Sequence, residues 1–337
     1  MKKLKVLVLC DYPGTPPASQ DFTEELKKED WKTEADIVNA LKDLGHEVRM
    51  LGVYDDINAI IGEVKTNPPD VTFNLVEQFK NFSHYDRNIA ALLELLGIPY
   101  TGCDVPGLMI CKNKGLTKKI LTYHRVKVPD FAIFPCGKPI HRPKRLRYPV
   151  FIKPLRDQGS YGIAQASFVE SDADFIERIH FIHDRFHQDA IAEEYIEGRE
   201  LYVSILGNER LEVFPVREMI FSEIPDEEPK FATFKAKWDQ EYRKRWGIKN
   251  TFANKLPEGI PEGIVVLAKK VYHALQIRGY ARLDLRLTPQ GSVVIIEANP
   301  NPMLAKDEDF SLSAQKGELE YPQLIQRILN LAMRSQE

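Results

Sequence analysis

Apolar positions along this chain follow two rhythms. Lys5 to Cys10 is an unbroken Val/Leu run bounded by a turn cluster, the pattern of a strand buried on both faces. From about Thr33 to Leu44 the spacing of Ile37, Val38 and Leu41 is helical, and Gly45 stands where such a helix stops. Glu47 to Val53 and then Val71 to Leu75, after Asn67-Pro68-Pro69, return to strand. Strand, helix and strand in this order predict a parallel α/β layer. A helix from Arg87 to Leu96 follows, and a domain boundary is expected near residue 110.

Beyond it the rhythms alternate less regularly. A helix is predicted up to about Tyr123, a strand over Arg147 to Lys153, and strand, bend and strand over Ala190 to Leu206. An amphipathic helix from Glu262 to Ile277 turns Ile264, Leu267, Ala268, Val271 and Leu275 inward, and a last helix runs from about Pro322 to Met333. The fold class is therefore α/β, becoming α+β after the first layer, with domains expected at 1–110, 111–200 and 201–337.

The chemistry concentrates in Gly279 to Met303, where two alternating runs flank the turn signal Thr288-Pro289-Gln290-Gly291. If Leu287 pairs with Ser292, Arg282 lies opposite Glu297 with Asp284 as its diagonal neighbour, and Asn299 follows on the same face. Two carboxylates and an amide oxygen, without His or Cys, make a hard-oxygen site suited to Mg²⁺ and substrate phosphates. The competing reading is a surface hairpin whose charges happen to alternate, and a slip of one residue would move the whole set to the other face.

A second signal is Lys153, which ends a strand beside a loop containing Gly159 and Gly162. Backbone N-H groups and an ammonium there would clamp phosphate, although a plain turn also uses glycine. The acidic residues around the bend at 194–200 suit an adenosine, with Glu193 for the base and Glu200 for the ribose hydroxyls; taken singly they read as surface charges.

Composition narrows the field. An apolar fraction of 43% with 28% charged residues is that of a globular protein, and a net charge of -3 gives no general attraction to nucleic acid or acidic membranes. Cys10, Cys103, Cys111 and Cys136 show no metal spacing, which fits idle thiols in a reducing cytoplasm. MKKLKVLVLC is too short in its apolar run for a signal peptide, and no stretch reaches a membrane span. The first loop, DYPGTPPASQ, lacks GxGxxG, which disfavours a nicotinamide oxidoreductase.

In order and spacing, GIPYTG, Asn113-Lys114, KPLRDQGSYG, EEYIEGRE, the lysine of Phe234 to Trp238, ARLD and EANPNP resemble the ATP-grasp superfamily, in its branch of D-alanine:D-alanine ligase-like carboxylate-amine ligases. The resemblance covers nearly the full length. It implies an N-terminal Rossmann-like substrate domain, a central lid domain and a C-terminal catalytic domain. Lys114 and Lys153 would hold the α- and β-phosphates of ATP, and the loop around Ser160 would cover the triphosphate. Glu193, Tyr195 and Ile196 would border the adenine, with Glu200 on the ribose. Lys237 would sit on a mobile lid and reach the γ-phosphate. Asp284, Glu297 and Asn299 would bind two Mg²⁺ ions, Mn²⁺ being the alternative, and Arg282 would face the oxygen that becomes anionic. A homodimer is the common state in that family.

Several departures bear on the substrates, which the resemblance implies are a small-molecule carboxylate and an amine. The family's first-loop glutamate has no clear counterpart, although Glu24, Glu25 and Glu34 are candidates. Gly159-Ser160 replaces paired serines, and Trp238 replaces the lid tyrosine. Lys306-Asp307-Glu308-Asp309 stands where hydroxyl residues read the second substrate's carboxylate, so Asp307 and Glu308 are expected to favour a cationic amine over D-alanine. The alternative is an exposed acidic loop without a ligand. His84, Tyr85 and Arg87 are candidate contacts to the carboxylate substrate. The expected activity is amide or peptide bond formation through an acyl phosphate. The alternatives are a D-alanine:D-alanine ligase of cell-wall synthesis and a non-catalytic nucleotide-binding module, which would show gaps in the lysine or acid set.

Overall fold

The computed structural model describes residues 3–157, 159–225 and 229–334. Gln158, inside the glycine loop, lies outside the described residues. The N-terminal stretch alternates strand and helix: β1 (Lys5–Asp11), α1 (Lys32–Asp43), β2 (Glu47–Val53), α2 (Ile57–Thr66) and β3 (Val71–Asn74). The strands form a parallel sheet in the order β2-β1-β3. Val6 and Val8 of β1 pack toward α1, while Leu7 and Leu9 join the opposite cluster with Ile60 and Ile89. Burial on both faces is what an unbroken apolar run requires. Because β2 and β3 flank β1, the strand order reverses there, and the carboxyl ends of β1 and β3 open a crevice of the kind that takes ligands in such sheets.

Helices α3 (Asp86–Leu95), α4 (Val105–Cys111) and α5 (Lys114–Tyr123) lead onward. Asn113 caps α5 by accepting from the Leu116 amide at 3.0 Å, which fixes where the helix starts and so where Lys114 stands. A four-stranded antiparallel sheet follows, ordered β4-β7-β5-β6, from β4 (Phe131–Phe134), β5 (Val150–Pro154), β6 (Phe168–Val169) and β7 (Ala190–Glu194). Helix α6 (Asp172–Phe186) backs it through Phe175, Ile179 and Ile182.

The third sheet is antiparallel, ordered β11-β10-β8-β12-β13 with β9 on β8. Its parts are β8 (Arg199–Leu206), β9 (Glu212–Val213), β10 (Arg217–Phe221), α7 (Phe234–Trp238), α8 (Gln240–Arg245), β11 (Ile248–Phe252), α9 (Ile260–Ala274), β12 (Tyr280–Leu287) and β13 (Val293–Pro300). The inner face of α9, with Ile264, Ala268 and Val271, packs on Ala281, Leu283, Leu285 and Leu287, one side of β12. Alternation then leaves Arg282, Asp284 and Arg286 on the other side. Helices α10 (Asp309–Lys316) and α11 (Tyr321–Arg334) close the chain. None of the helices among the described residues is long and apolar enough to cross a membrane.

Two arrangements were not visible in the pattern. The bend between β7 and β8 carries the chain from one sheet to another, so the strand, bend and strand of 190–206 are not a hairpin. Gly198 makes this passage at φ 142°, where an added Cβ would come within 2.2 Å of the Leu287 carbonyl oxygen. Helix α11 packs on the N-terminal layer, setting Leu324, Ile328 and Leu329 against the cluster of Val6, Val8, Ile37 and Leu41.

Candidate active site

The hairpin register differs from the expected one. Leu287 pairs with Val293 rather than Ser292, and Leu285 with Ile295. The ladder then shifts between Asp284 and Leu285, leaving Ile296 as an extra residue, so that Asp284 faces Glu297 and Arg282 faces Asn299. Each shift alone would reverse the faces of one strand. Together they restore the alternation, which is why Arg282, Asp284, Glu297 and Asn299 still share a side. No residue type marks Ile296 as a bulge in the sequence.

Lysines from two directions meet these carboxylates. Lys114, in the first turn of α5, places Nζ 3.1 Å from Glu297 Oε1 and also donates to the Asp157 carbonyl. Lys153, at the end of β5, lies 3.1 Å from Glu193 Oε1. Burial alone would push Glu297 up, but Lys114, Lys153 and Lys237 outweigh it and bring the carboxyl down to about 2. Burial likewise works against the charge on Lys153, and Glu193 foremost holds it on. Lys118, which the sequence reading passed over, stands one turn after Lys114, reaches Glu193 Oε1 at 3.1 Å and donates to the Ile296 carbonyl at 2.8 Å. Its i, i+4 spacing from Lys114 was the available signal.

These groups border one cleft between the two antiparallel sheets. Lys153, Ser160, Glu193, Tyr195, Ile196, Glu200, Lys237, Asp284 and Glu297 line it, with Phe151, Phe231 and Ile296 as apolar walls. Glu200 is fixed by Arg286 and by the Tyr202 hydroxyl, both at 2.8 Å. Over the cleft, the glycine loop meets the lysine-bearing segment. Ser160 Oγ donates to the Ala232 carbonyl at 3.1 Å, Trp238 Nε1 to the Gly159 carbonyl at 2.9 Å, and the Phe234 amide to the Ile163 carbonyl at 3.1 Å.

The donor set fits a hard divalent ion completed by phosphate oxygens. Among the described residues no three His, Cys, Asp or Glu side chains gather around a common point, so the protein offers only Asp284, Glu297 and the Asn299 amide. Mg²⁺ is commonly held by one or two carboxylates together with substrate phosphates. Glu297 Oε1 has the Lys114 ammonium at 3.1 Å, whereas the buried Asn299 Nδ2 has no hydrogen-bond partner, so no bond at that nitrogen fixes which way the Asn299 amide turns.

A family model described as D-ala D-ala ligase C-terminus matches residues 111–330. The chain belongs to the D-alanine–D-alanine ligase family. It is 31% identical over 302 residues to the D-alanine–D-alanine ligase of Thermotoga maritima, covering 88% of this chain and 90% of that one. It is 30% identical over 305 residues to the protein y4sG of Sinorhizobium fredii, covering 88% and 86%. The D-alanine–D-alanine ligase of Bacillus anthracis complexed with ATP superposes with a TM-score of 0.75 over 99% of this chain and 98% of that one, at 20% identity. That likeness gives the ATP-grasp fold. Members of the D-alanine–D-alanine ligase family are ATP-dependent ligases that form carbon-nitrogen bonds.

Against this family background the remaining candidates separate. Arg282 is bound to Asp284 through Nε at 2.8 Å and Nη2 at 3.1 Å, and lies 4.9 Å from the Tyr202 ring centre. His84 and Tyr85 meet edge to face with ring centres 4.5 Å apart beside Asp86, whose carboxylate holds Lys112 at 2.6 Å. Burial first, then the charges of Arg87 and Arg156, push the His84 imidazole down from its ordinary value. The acidic run 307–309 is not a set of three equivalent charges. Asp307 is paired with Lys32 at 2.5 Å, and Asp309 is held by Arg217 at 3.0 Å and Asn250 at 2.6 Å. Glu308 is left beside them, raised by burial and by Asp309 with Arg282 opposing. Of the first-loop candidates, Glu24 pairs with Lys27 at 2.6 Å and Glu25 accepts from Tyr12 at 3.3 Å. Glu34 faces Asp11 at the carboxyl end of β1. Glu77, unnoticed in the sequence, joins them there: desolvation, Asp11 and Glu34 raise it to about 7 against Lys112.

Proposed function

We propose that this chain activates a small-molecule carboxylate with ATP and Mg²⁺ and joins it to an amine other than D-alanine, releasing ADP and phosphate. The observation carrying this reading is the bulged hairpin, whose facing carboxylates Asp284 and Glu297 line one cleft with Lys153, while Lys114 pairs directly with Glu297. Phosphoryl transfer between two oxyanions is opposed chiefly by charge repulsion, which the lysines reduce. When bound, two Mg²⁺ ions held by Asp284, Glu297 and Asn299 would add to that field and orient the phosphates. Arg282 keeps its charge against Asp284 and has Nη1 outside that pair, which suits it to donate to the oxygen of the tetrahedral intermediate formed when the amine attacks the acyl phosphate.

The substrate side rests on charge. Asp11, Glu34 and Glu77 in the N-terminal crevice suit the ammonium of an amino-acid-like carboxylate, and Glu308 suits a cationic group on the amine. The test is to supply ATP, Mg²⁺ and pools of amino acids and amines and to identify the nucleotide product. ADP release that requires both substrates supports the reading; AMP overturns the acyl phosphate. A second reading, D-alanine as both substrates, is favoured by the 31% identity with the Thermotoga maritima enzyme. High turnover on D-alanine alone decides for it.

A further inference from the structure

We infer that Lys118 is a positioning residue that holds the hairpin bulge in place and thereby sets the metal affinity of the Asp284–Glu297 pair. This rests on the ATP- and Mg²⁺-dependent reading above.

Lys118 is 1% exposed, and its ammonium is committed to two acceptors on two different sheets. One is Glu193 on β7, and the other is the carbonyl of Ile296, the extra residue in β13. A bulged residue leaves the ladder, so its buried polar groups need partners from elsewhere. Lys118 provides one for the carbonyl. The adjoining strand is braced from the same side, since the Ile295 amide donates at 3.0 Å to the carbonyl of Lys127, in the segment that follows α5.

The bulge decides whether the acids meet. With Ile296 drawn out of the ladder, Asp284 faces Glu297; with the pairing of Leu285 and Ile295 simply continued, Asp284 would face Ile296. One helix therefore supplies both the cation that neutralises Glu297, from Lys114, and the cation that places it, from Lys118. Lys118 also shares Glu193 Oε1 with Lys153, which ties the base-side wall of the cleft to the metal-side wall. Groups one bond removed from metal ligands typically change metal affinity by about 10–100-fold when lost.

The test uses the full chain and Mg²⁺-ADP, so it does not require the substrates. Binding of ADP is measured by calorimetry with and without Mg²⁺ for the wild-type chain, Lys118→Met and Lys118→Arg. For Lys118→Met, metal-free ADP affinity should change by no more than about threefold, while the enhancement by Mg²⁺ falls about tenfold or more. Lys118→Arg, which keeps the charge and the donors, should recover part of that enhancement. Unchanged enhancement in Lys118→Met overturns the proposal, as does an equal loss with and without metal, which marks a merely structural lysine. If Lys118→Met does not fold, Lys118→Arg decides: weakened enhancement supports the role and wild-type enhancement sinks it. Wild-type protein that binds no ADP at all sinks the nucleotide reading and this inference with it.

Discussion

The cleft between the two antiparallel sheets and the N-terminal crevice treat charge in opposite ways. In the cleft nearly every acid has its own cation: Glu297 has Lys114, Glu193 has Lys153 and Lys118, Glu200 has Arg286, and Asp284 has Arg282. In the crevice Asp11, Glu34 and Glu77 gather at the ends of β1 and β3, while the nearby Lys112 is committed to Asp86. The first region is balanced before a ligand arrives, so phosphate and metal can enter together as a nearly neutral unit. The second holds excess negative charge that a cationic group relieves. On the proposed function, the cleft is pre-assembled for a constant cosubstrate and the crevice is poised for a particular substrate.

The contrast can be broken most severely at Glu297. Glu297→Ala should lower ADP-forming turnover by about three powers of ten and, by leaving Lys114 buried without its partner, cost about 3–5 kcal/mol of stability. Steady-state assay and thermal melting read the two effects. Next comes Arg282→Ala, expected to depress turnover by about two to three powers of ten while ADP binding persists. Equal losses in binding and turnover would remove Arg282 from the chemical step.

Smaller effects belong to the crevice. Glu77 titrates near 7, so below that pH it is protonated and attracts a cation less. The KM for an ammonium-bearing carboxylate should fall by about tenfold as pH rises through 7, and Glu77→Gln should flatten the profile. For stability the sign is opposite: a carboxyl raised in the folded state favours folding while protonated, and that contribution is lost between about 4.5 and about 7 as pH rises. The smallest change is at Glu308. Glu308→Gln should raise the KM of a cationic amine about fivefold and leave that of ATP unmoved, measured with the amine as the varied substrate.

Much of the charge constellation around the cleft was legible because its residues sit at fixed places in regular elements. Lys153 ends a strand, Lys114 opens a capped helix, and the acids alternate on a hairpin, so pattern and chemistry could be read together. The exact pairing was not legible, since the turn and the bulge at Ile296 each add one residue without a distinctive side chain. The crevice was harder still. Asp11, Glu34 and Glu77 come from a strand end, a helix and a loop, and only the strand order brings them together. Likewise Asp307, Glu308 and Asp309 look alike in sequence, and only distant partners such as Lys32 and Arg217 tell them apart.

The docking of α11 on the first sheet has a consequence for biosynthesis. Val6, Val8, Ile37 and Leu41 are translated well before Leu324, Ile328 and Leu329, which supply part of their cover. Until α11 has left the ribosome, that layer carries an uncovered oily face, and it seals only when the helix arrives.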